Sequence, residues 1–297
     1  MTRWQANLVL LVTGAIWGAA FIAQSTAMEA LGPFSFIAAR FAVACAVVAP
    51  ILWWEARRAA TPLTRRDHGV HVGIGLALFL GMAFQQVGLL TTTVTNSGIL
   101  TGLYVLFVPV LGIALFRQWP HPVVWLGAAG ATLGIFLIGG GGFDRLVVGD
   151  AHTVVSAAFW SVQVVLIARF VRRAERPVAL AFTQFAVTAA LAALCAAAFE
   201  DVTATQLRAA AFEILYAGVL GSGVAFTLQV IGQRYTTAPQ AAIFLSSEAL
   251  FAALFGALLL GERLPAVGLV GCALVFASML AVEIVPMLRR RPVETVM

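Results

Sequence analysis

Apolar runs long enough to cross a bilayer recur ten times along this chain, at about 7–28, 34–54, 69–90, 95–116, 122–140, 150–170, 178–199, 212–232, 238–260 and 265–286. A membrane-spanning helix needs about 20 such residues. The gaps between runs are mostly short and hold no long soluble domain. The short gaps make consecutive spans antiparallel. Composition agrees: 61% of the 297 residues are hydrophobic and 10% charged, against roughly 25% charged in a soluble domain. The mean hydropathy is +0.97. A chain this apolar has too little polar surface to cover itself in water, so membrane lipid is its expected surrounding. The first run is too long for the apolar core of a signal peptide, so no cleavable signal is expected.

The charge pattern sets an orientation. Every one of the 18 cations is Arg, and there is no Lys. With the N-terminus inside, the inside segments hold Arg3, Arg57, Arg58, Arg65, Arg66, Arg117, Arg169, Arg172, Arg173, Arg176, Arg234, Arg289, Arg290 and Arg291. The outside gaps hold Arg145, Arg208 and Arg263, and Arg40 falls within a span. Cytoplasmic loops carry the excess of cations in membrane proteins, so both termini are expected in the cytoplasm. An odd number of spans would put the Arg-rich tail on the other side.

The net charge of +5 does not point to nucleic acid, because the arginines lie in short gaps rather than on one folded face. The absence of Lys excludes a retinal Schiff base. Cys45, Cys195 and Cys272 all sit inside apolar runs, which suits packing rather than disulfides or a metal site. No metal or cofactor is expected. No HExxH and no P-loop occurs. Gly221-Ser222-Gly223 has a serine, but His68, His71, His121 and His152 all lie near span ends, so no hydrolase triad is placed. The chain is read as a non-enzyme.

The halves of the chain resemble each other. Ala15-Ile16-Trp17-Gly18 parallels Ala158-Phe159-Trp160-Ser161, and Pro33 parallels Pro177. Gly81-Met82-Ala83-Phe84 parallels Gly223-Val224-Ala225-Phe226, and Gly127-Ala128-Ala129-Gly130 parallels Gly268-Leu269-Val270-Gly271. The offsets are 143, 144, 142 and 141. Five spans per half is an odd number, so the second half enters the membrane from the opposite side. The expected architecture is an all-α membrane protein of two inverted five-helix repeats, 1–142 and 143–297, around a central cavity. Inverted repeats of this kind are characteristic of secondary transporters. The Gly139–Gly142 run reads as the connector. Gly127, Gly130, Gly134, Gly268 and Gly271 read as close-packing positions.

Polar and aromatic side chains recur at helical spacing inside the spans. Thr13, Trp17 and Gln24 share one stripe; Ser156, Trp160 and Gln163 share another. Ser222, Phe226, Gln229 and Gln233 form a third, Gln240, Phe244, Ser247 and Phe251 a fourth, and Ser97, Thr101 and Tyr104 a fifth. Polar groups do not face lipid cheaply. Each stripe is either interhelical hydrogen bonding or the wall of a shared cavity. Aromatic rings among amides and hydroxyls suit a ligand with an apolar body and polar ends. Two charges fall inside spans. Glu248 could bind an amine or carry a proton. Arg40 could meet a carboxylate, or could snorkel to the outer interface.

The sequence resembles the EamA-type transporters of the drug/metabolite transporter superfamily. The residues that carry this are Trp17-Gly18, Arg40-Phe41, Gln85-Gln86-Val87-Gly88-Leu89, Thr95-Asn96-Ser97, Leu100-Thr101-Gly102-Leu103-Tyr104-Val105 and Pro109. In the second half they are Tyr235-Thr236-Thr237-Ala238 and Leu258-Leu259-Leu260-Gly261-Glu262-Arg263-Leu264. Glu248 stands where many members have Glu-Pro, but Ala249 follows it here, which removes the usual cause of a kink. The resemblance implies ten helices, two repeats and a central substrate cavity. In length and layout it is greatest to bacterial amino-acid exporters, including exporters of aromatic amino acids.

The expectation is therefore an exporter of small metabolites, most of all amino acids, in the bacterial inner membrane. Its substrate-binding candidates are Trp17, Gln24, Gln85, Gln86, Asn96, Tyr104, Trp160, Gln163, Gln229, Phe244 and Glu248. The expected partners are a small-molecule substrate and lipid, with no nucleic acid. The oligomeric state is left open, a monomer being sufficient. A drug or broad metabolite exporter is the alternative within transport, and a membrane binding protein without flux is the alternative outside it.

Overall fold

The computed structural model describes residues 1–142, 147–174, 176–260 and 266–288. Arg145, the Gly261-Glu262-Arg263-Leu264 motif and the Arg289–Arg291 tail lie outside the described residues. Their regular secondary structure is helical, with no strand among the described residues.

The helices are α1 Arg3–Ala27, α2 Pro33–Arg58, α3 Arg65–Gly88, α4 Val94–Thr101, α5 Tyr104–Phe116, α6 Val123–Ile138, α7 Val148–Ala174, α8 Pro177–Phe199, α9 Ala204–Ala209, α10 Ala211–Tyr216, a π-helix Ala217–Val224, α11 Ala225–Gln233, α12 Ala238–Leu245, α13 Glu248–Leu260 and α14 Ala266–Leu288. Among the described residues, eight segments are long and apolar enough to cross a membrane: α2, α3, α4 with α5, α7, α8, α10 through α11, α12 with most of α13, and α14. The helix α6, at 16 residues, is shorter.

Local chemistry sets the helix starts. Thr2 with Gln5 and Thr64 with Asp67 form capping boxes at α1 and α3, each satisfying otherwise orphaned backbone donors. Pro33 and Pro177 stand at the first turn of α2 and α8, where a missing N–H costs nothing. The runs read as single spans at 95–116 and 238–260 are each broken. The breaks fall at Gly102-Leu103 and Ser246-Ser247. In both cases an eight-residue helix precedes a 13-residue one. The second break lies just before Glu248, where the absent proline had removed the usual cause of a kink. Serine supplies it instead: the Ser246 hydroxyl donates to the Ile243 carbonyl at 2.7 Å, and the Ser247 and Ala249 N–H groups bond three residues back. Side-chain bonds of this type compete with the helical ladder.

The helix α2 packs along α8, α3 along α7, α1 against α11, α12 and α13, and α6 along α14. The α6–α14 contact is backbone to backbone. A Cβ on Gly134 would stand 2.8 Å from the Gly271 carbonyl oxygen, so glycine permits the approach. In the connector Gly140 and Gly141 have φ of +96° and +73°, which L side chains rarely adopt.

The α2–α8 pair is fastened reciprocally. Glu200, just past the end of α8, accepts from Phe34 N and Ser35 N at 2.8 Å each, and from the Ser35 hydroxyl. Glu55, near the end of α2, accepts from Val178 N and Ala179 N at 2.9 Å each, and from Arg176 Nε at 3.3 Å. Each carboxylate satisfies first-turn donors of the other helix and complements its positive end.

Candidate functional site

A cavity lies where α1, α2, α3, α4, α5, α7, α11, α12 and α13 meet. Seven sequence candidates line it: Trp17, Gln24, Gln85, Tyr104, Trp160, Gln229 and Glu248. Arg40, Met82, Thr101, Val164, Phe226 and Leu245 complete the lining.

An aromatic cluster forms one wall. Phe226 stacks on Trp160, with centroids 5.6 Å apart and planes within 5°, and lies 4.7 Å from Trp17. The two tryptophans are 6.4 Å apart. Phe41 and Phe185 back Phe226 at 6.0 and 6.2 Å. The Trp17 indole is held by its Nε1, which donates to the Gly221 carbonyl at 2.9 Å. That carbonyl belongs to the π-helix, whose irregular ladder is a common feature of functional sites. Trp160 is 9% exposed, so its ring faces protein rather than lipid.

Amides and hydroxyls form the rest of the wall. Gln85 Nε2 donates to Thr101 Oγ1 at 2.9 Å. Gln229 and Gln163 exchange hydrogen bonds at 3.1 and 3.3 Å, and Gln163 also donates to Gln184 Oε1 at 3.2 Å. Gln163 thus supports the lining from behind. Tyr104 OH donates to the Ala242 carbonyl at 3.4 Å.

Arg40 does not snorkel. It is 1% exposed; its Nε donates to Ser222 Oγ and its Nη1 to Gln24 Oε1, both at 3.0 Å. The guanidinium lies 5.5 and 5.4 Å from the Phe36 and Phe41 ring centroids. Partners on α1 and the π-helix draw it inward instead of out to the interface. Among the described residues neither Arg40 nor Glu248 makes an ion pair.

Besides Gln163, three more candidates lie outside the lining. Gln86 is buried and donates to Met28 Sδ at 3.5 Å. Asn96 donates to Asp150 Oδ1 at 3.4 Å. Phe244 is packed in the main hydrophobic core. The stripes are therefore of mixed character. Thr13 donates to Ala225 O, Ser156 to Gly81 O, and Gln233 to Val164 O; these tie helices together.

Two buried acids escaped the sequence reading. Asp150, at the start of α7, accepts from Thr92 Oγ1 and from Val147 N at 2.7 Å. Glu283, on α14, accepts from Asn7 Nδ2 at 2.6 Å and from Gln240 Nε2, and pairs with Arg3 Nε at 3.4 Å. Each lay close to the edge of an apolar run, where an acid reads as loop; an acid within a few residues of a run's end was the available signal. Beside Glu283 a wider cavity, lined by Arg3, His121, Arg169, Gln240 and others, opens at the end of the molecule where α1 begins.

The chain matches the model of the EamA-like transporter family twice, over residues 4–140 and 147–283. It is 30% identical to a protein of Archaeoglobus fulgidus described as an uncharacterized transporter, over 95% of this chain and 87% of that one. A second Archaeoglobus fulgidus protein of the same description is 26% identical, over 87% of this chain and 90% of the other. A solved crystal structure superposes with a TM-score of 0.79 at 21% identity, covering 98% of this chain and all of that one; at that identity the likeness is one of fold.

Proposed function

Since the chain belongs to the EamA-like transporter family, and is a multi-pass membrane transporter, we propose that it exports amino acids, aromatic ones among them, as a secondary transporter working by alternating access. One observation carries this reading: Arg40 and Glu248 line the same aromatic cavity, and neither has an ionic partner among the described residues. Intramembrane charges are costly without partners. An α-amino acid brings both, a carboxylate for the guanidinium fork and an ammonium for the carboxylate. Its side chain would rest on Trp17, Phe226 and Trp160, where ring edges and faces suit another ring.

The architecture we propose is ten spans in two inverted repeats, 1–142 and 143–297. Supporting it are the equal eight-plus-13-residue broken helices, the paired Pro33 and Pro177 starts, and the matching Glu55 and Glu200 caps. The proposed setting is a bacterial cytoplasmic membrane with both termini inside. The wide cavity beside Arg3 and Arg169 would then open to the cytoplasm, the side from which an exporter loads.

Counterflow in proteoliposomes tests the reading. Vesicles preloaded with one aromatic amino acid should accumulate labelled substrate from outside. Failure to exchange any amino acid, with the protein folded and correctly inserted, would overturn it.

A further inference from the structure

The helix α2 ends in Trp53-Trp54-Glu55-Ala56-Arg57-Arg58. Residues four apart are neighbours on a helix surface, and here they stack. The Arg57 guanidinium carbon lies 3.8 Å from the Trp53 ring centroid, and that of Arg58 lies 4.0 Å from a ring centroid of Trp54. The tryptophans are 57% and 52% exposed. Arg65 and Arg66, at the start of α3, are exposed as well. The nearby acids are engaged elsewhere: Glu55 holds the start of α8 and Arg176, and Asp67 caps Thr64. None of the four arginines forms an ion pair among the described residues.

Exposed Trp at the end of an apolar helix sits at headgroup level in a bilayer. A guanidinium lying flat on an indole is ordered by the ring while its N–H edge stays free. Such an edge binds a phosphate through two parallel hydrogen bonds. Orientation alone asks only for cations here; it does not ask for two consecutive tryptophans one turn before two consecutive arginines. We propose that the Trp53–Arg57 and Trp54–Arg58 stacks, flanked by Arg65 and Arg66, form a binding site for the headgroup phosphate of an anionic phospholipid in the adjacent leaflet. Four uncompensated cations favour a net-negative headgroup over phosphatidylcholine, whose own cation accompanies its phosphate. The site is separate from the transport cavity and does not depend on the substrate.

The test is native mass spectrometry of the full chain from micelles doped with phosphatidylglycerol or with phosphatidylcholine. The protein should retain phosphatidylglycerol in preference. The double variant Arg57→Gln/Arg58→Gln should bind it roughly thirtyfold more weakly, the effect of removing two arginines at an anionic surface. Arg57→Lys/Arg58→Lys keeps the charge and loses the planar fork; phosphatidylglycerol should still bind severalfold more weakly than to the unchanged chain. It also keeps the proposal testable should the Gln variant fail to fold. Equal retention of the two lipids would overturn the proposal. So would full binding by the Lys variant, which would reduce the site to general charge attraction. Displacement of the lipid by soluble glycerol phosphate at similar concentration would assign the stacks to a free phosphate ligand instead and likewise overturn it.

Discussion

Trp17 and Gly221 are joined across two helices: the indole Nε1 donates to the π-helix carbonyl at 2.9 Å. Trp160, its counterpart at an offset of 143 residues, has a buried Nε1 with no hydrogen-bond partner among the described residues. Two tryptophans in one aromatic wall are thus held in different ways, one by a hydrogen bond and the other by packing on Phe226.

Trp17→Phe should lower stability by about 1 kcal/mol beyond the effect of Trp160→Phe, because only the first leaves a buried carbonyl without its donor. Thermal unfolding of the two variants in the same detergent compares them. Equal losses would mean that the Trp17 bond contributes nothing net.

Arg40→Lys should weaken binding of an aromatic amino acid roughly tenfold to a hundredfold, the range for losing a charged hydrogen bond. Lys keeps the charge but cannot reach Ser222, Gln24 and a carboxylate together. Aromatic amines that lack the carboxylate should bind wild type and variant alike. A loss of affinity shared by those amines would place the defect in folding rather than in carboxylate recognition.

Glu248→Gln should cut amino-acid flux severalfold while the unfolding temperature stays close to that of wild type. Gln retains size and hydrogen bonding and loses charge and titration. Proteoliposome flux measured across pH is the check. Normal flux with an unchanged pH profile would make Glu248 a packing residue.

Ala60→Cys, in a cysteine-free background, should resist an impermeant thiol reagent in intact cells and react after permeabilisation, as the arginine bias requires. Labelling from outside would reverse the orientation and with it the assignment of the wide cavity to the cytoplasm.

Glu200→Ala should destabilise the protein by about 1 to 2 kcal/mol, the cost of a lost helix cap. Glu55→Ala should cost a similar amount. The sites lie at opposite ends of long helices, so the double variant should show nearly the sum.

The periodic apolar runs made the helices legible, since a bilayer dictates their length. Trp17, Gln24, Trp160 and Gln229 were legible because stripe spacing puts them on one face each. Gln86 and Asn96 were not separable from them by sequence, because a helix has more than one buried face in a bundle. The inward course of Arg40 depends on Ser222, 182 residues away, and no local pattern encodes it. The break at Ser246-Ser247 was masked by the rule that proline makes kinks. Glu55 and Glu200 read as ordinary ends of spans, because capping another helix is a tertiary act.

Helices α2 and α8 belong to different halves, and both ends of their contact are bolted by carboxylates. A beam clamped at both ends resists sliding along its length, since any axial shift would strip four backbone donors of their acceptors at once. Rotation about the long axis strains those bonds far less. The pair is thus built as an axle. Movement between the halves should be smallest along it and largest at the broken helices on the far side of the cavity, where the ladders are already interrupted and the chain can bend without losing a complete turn.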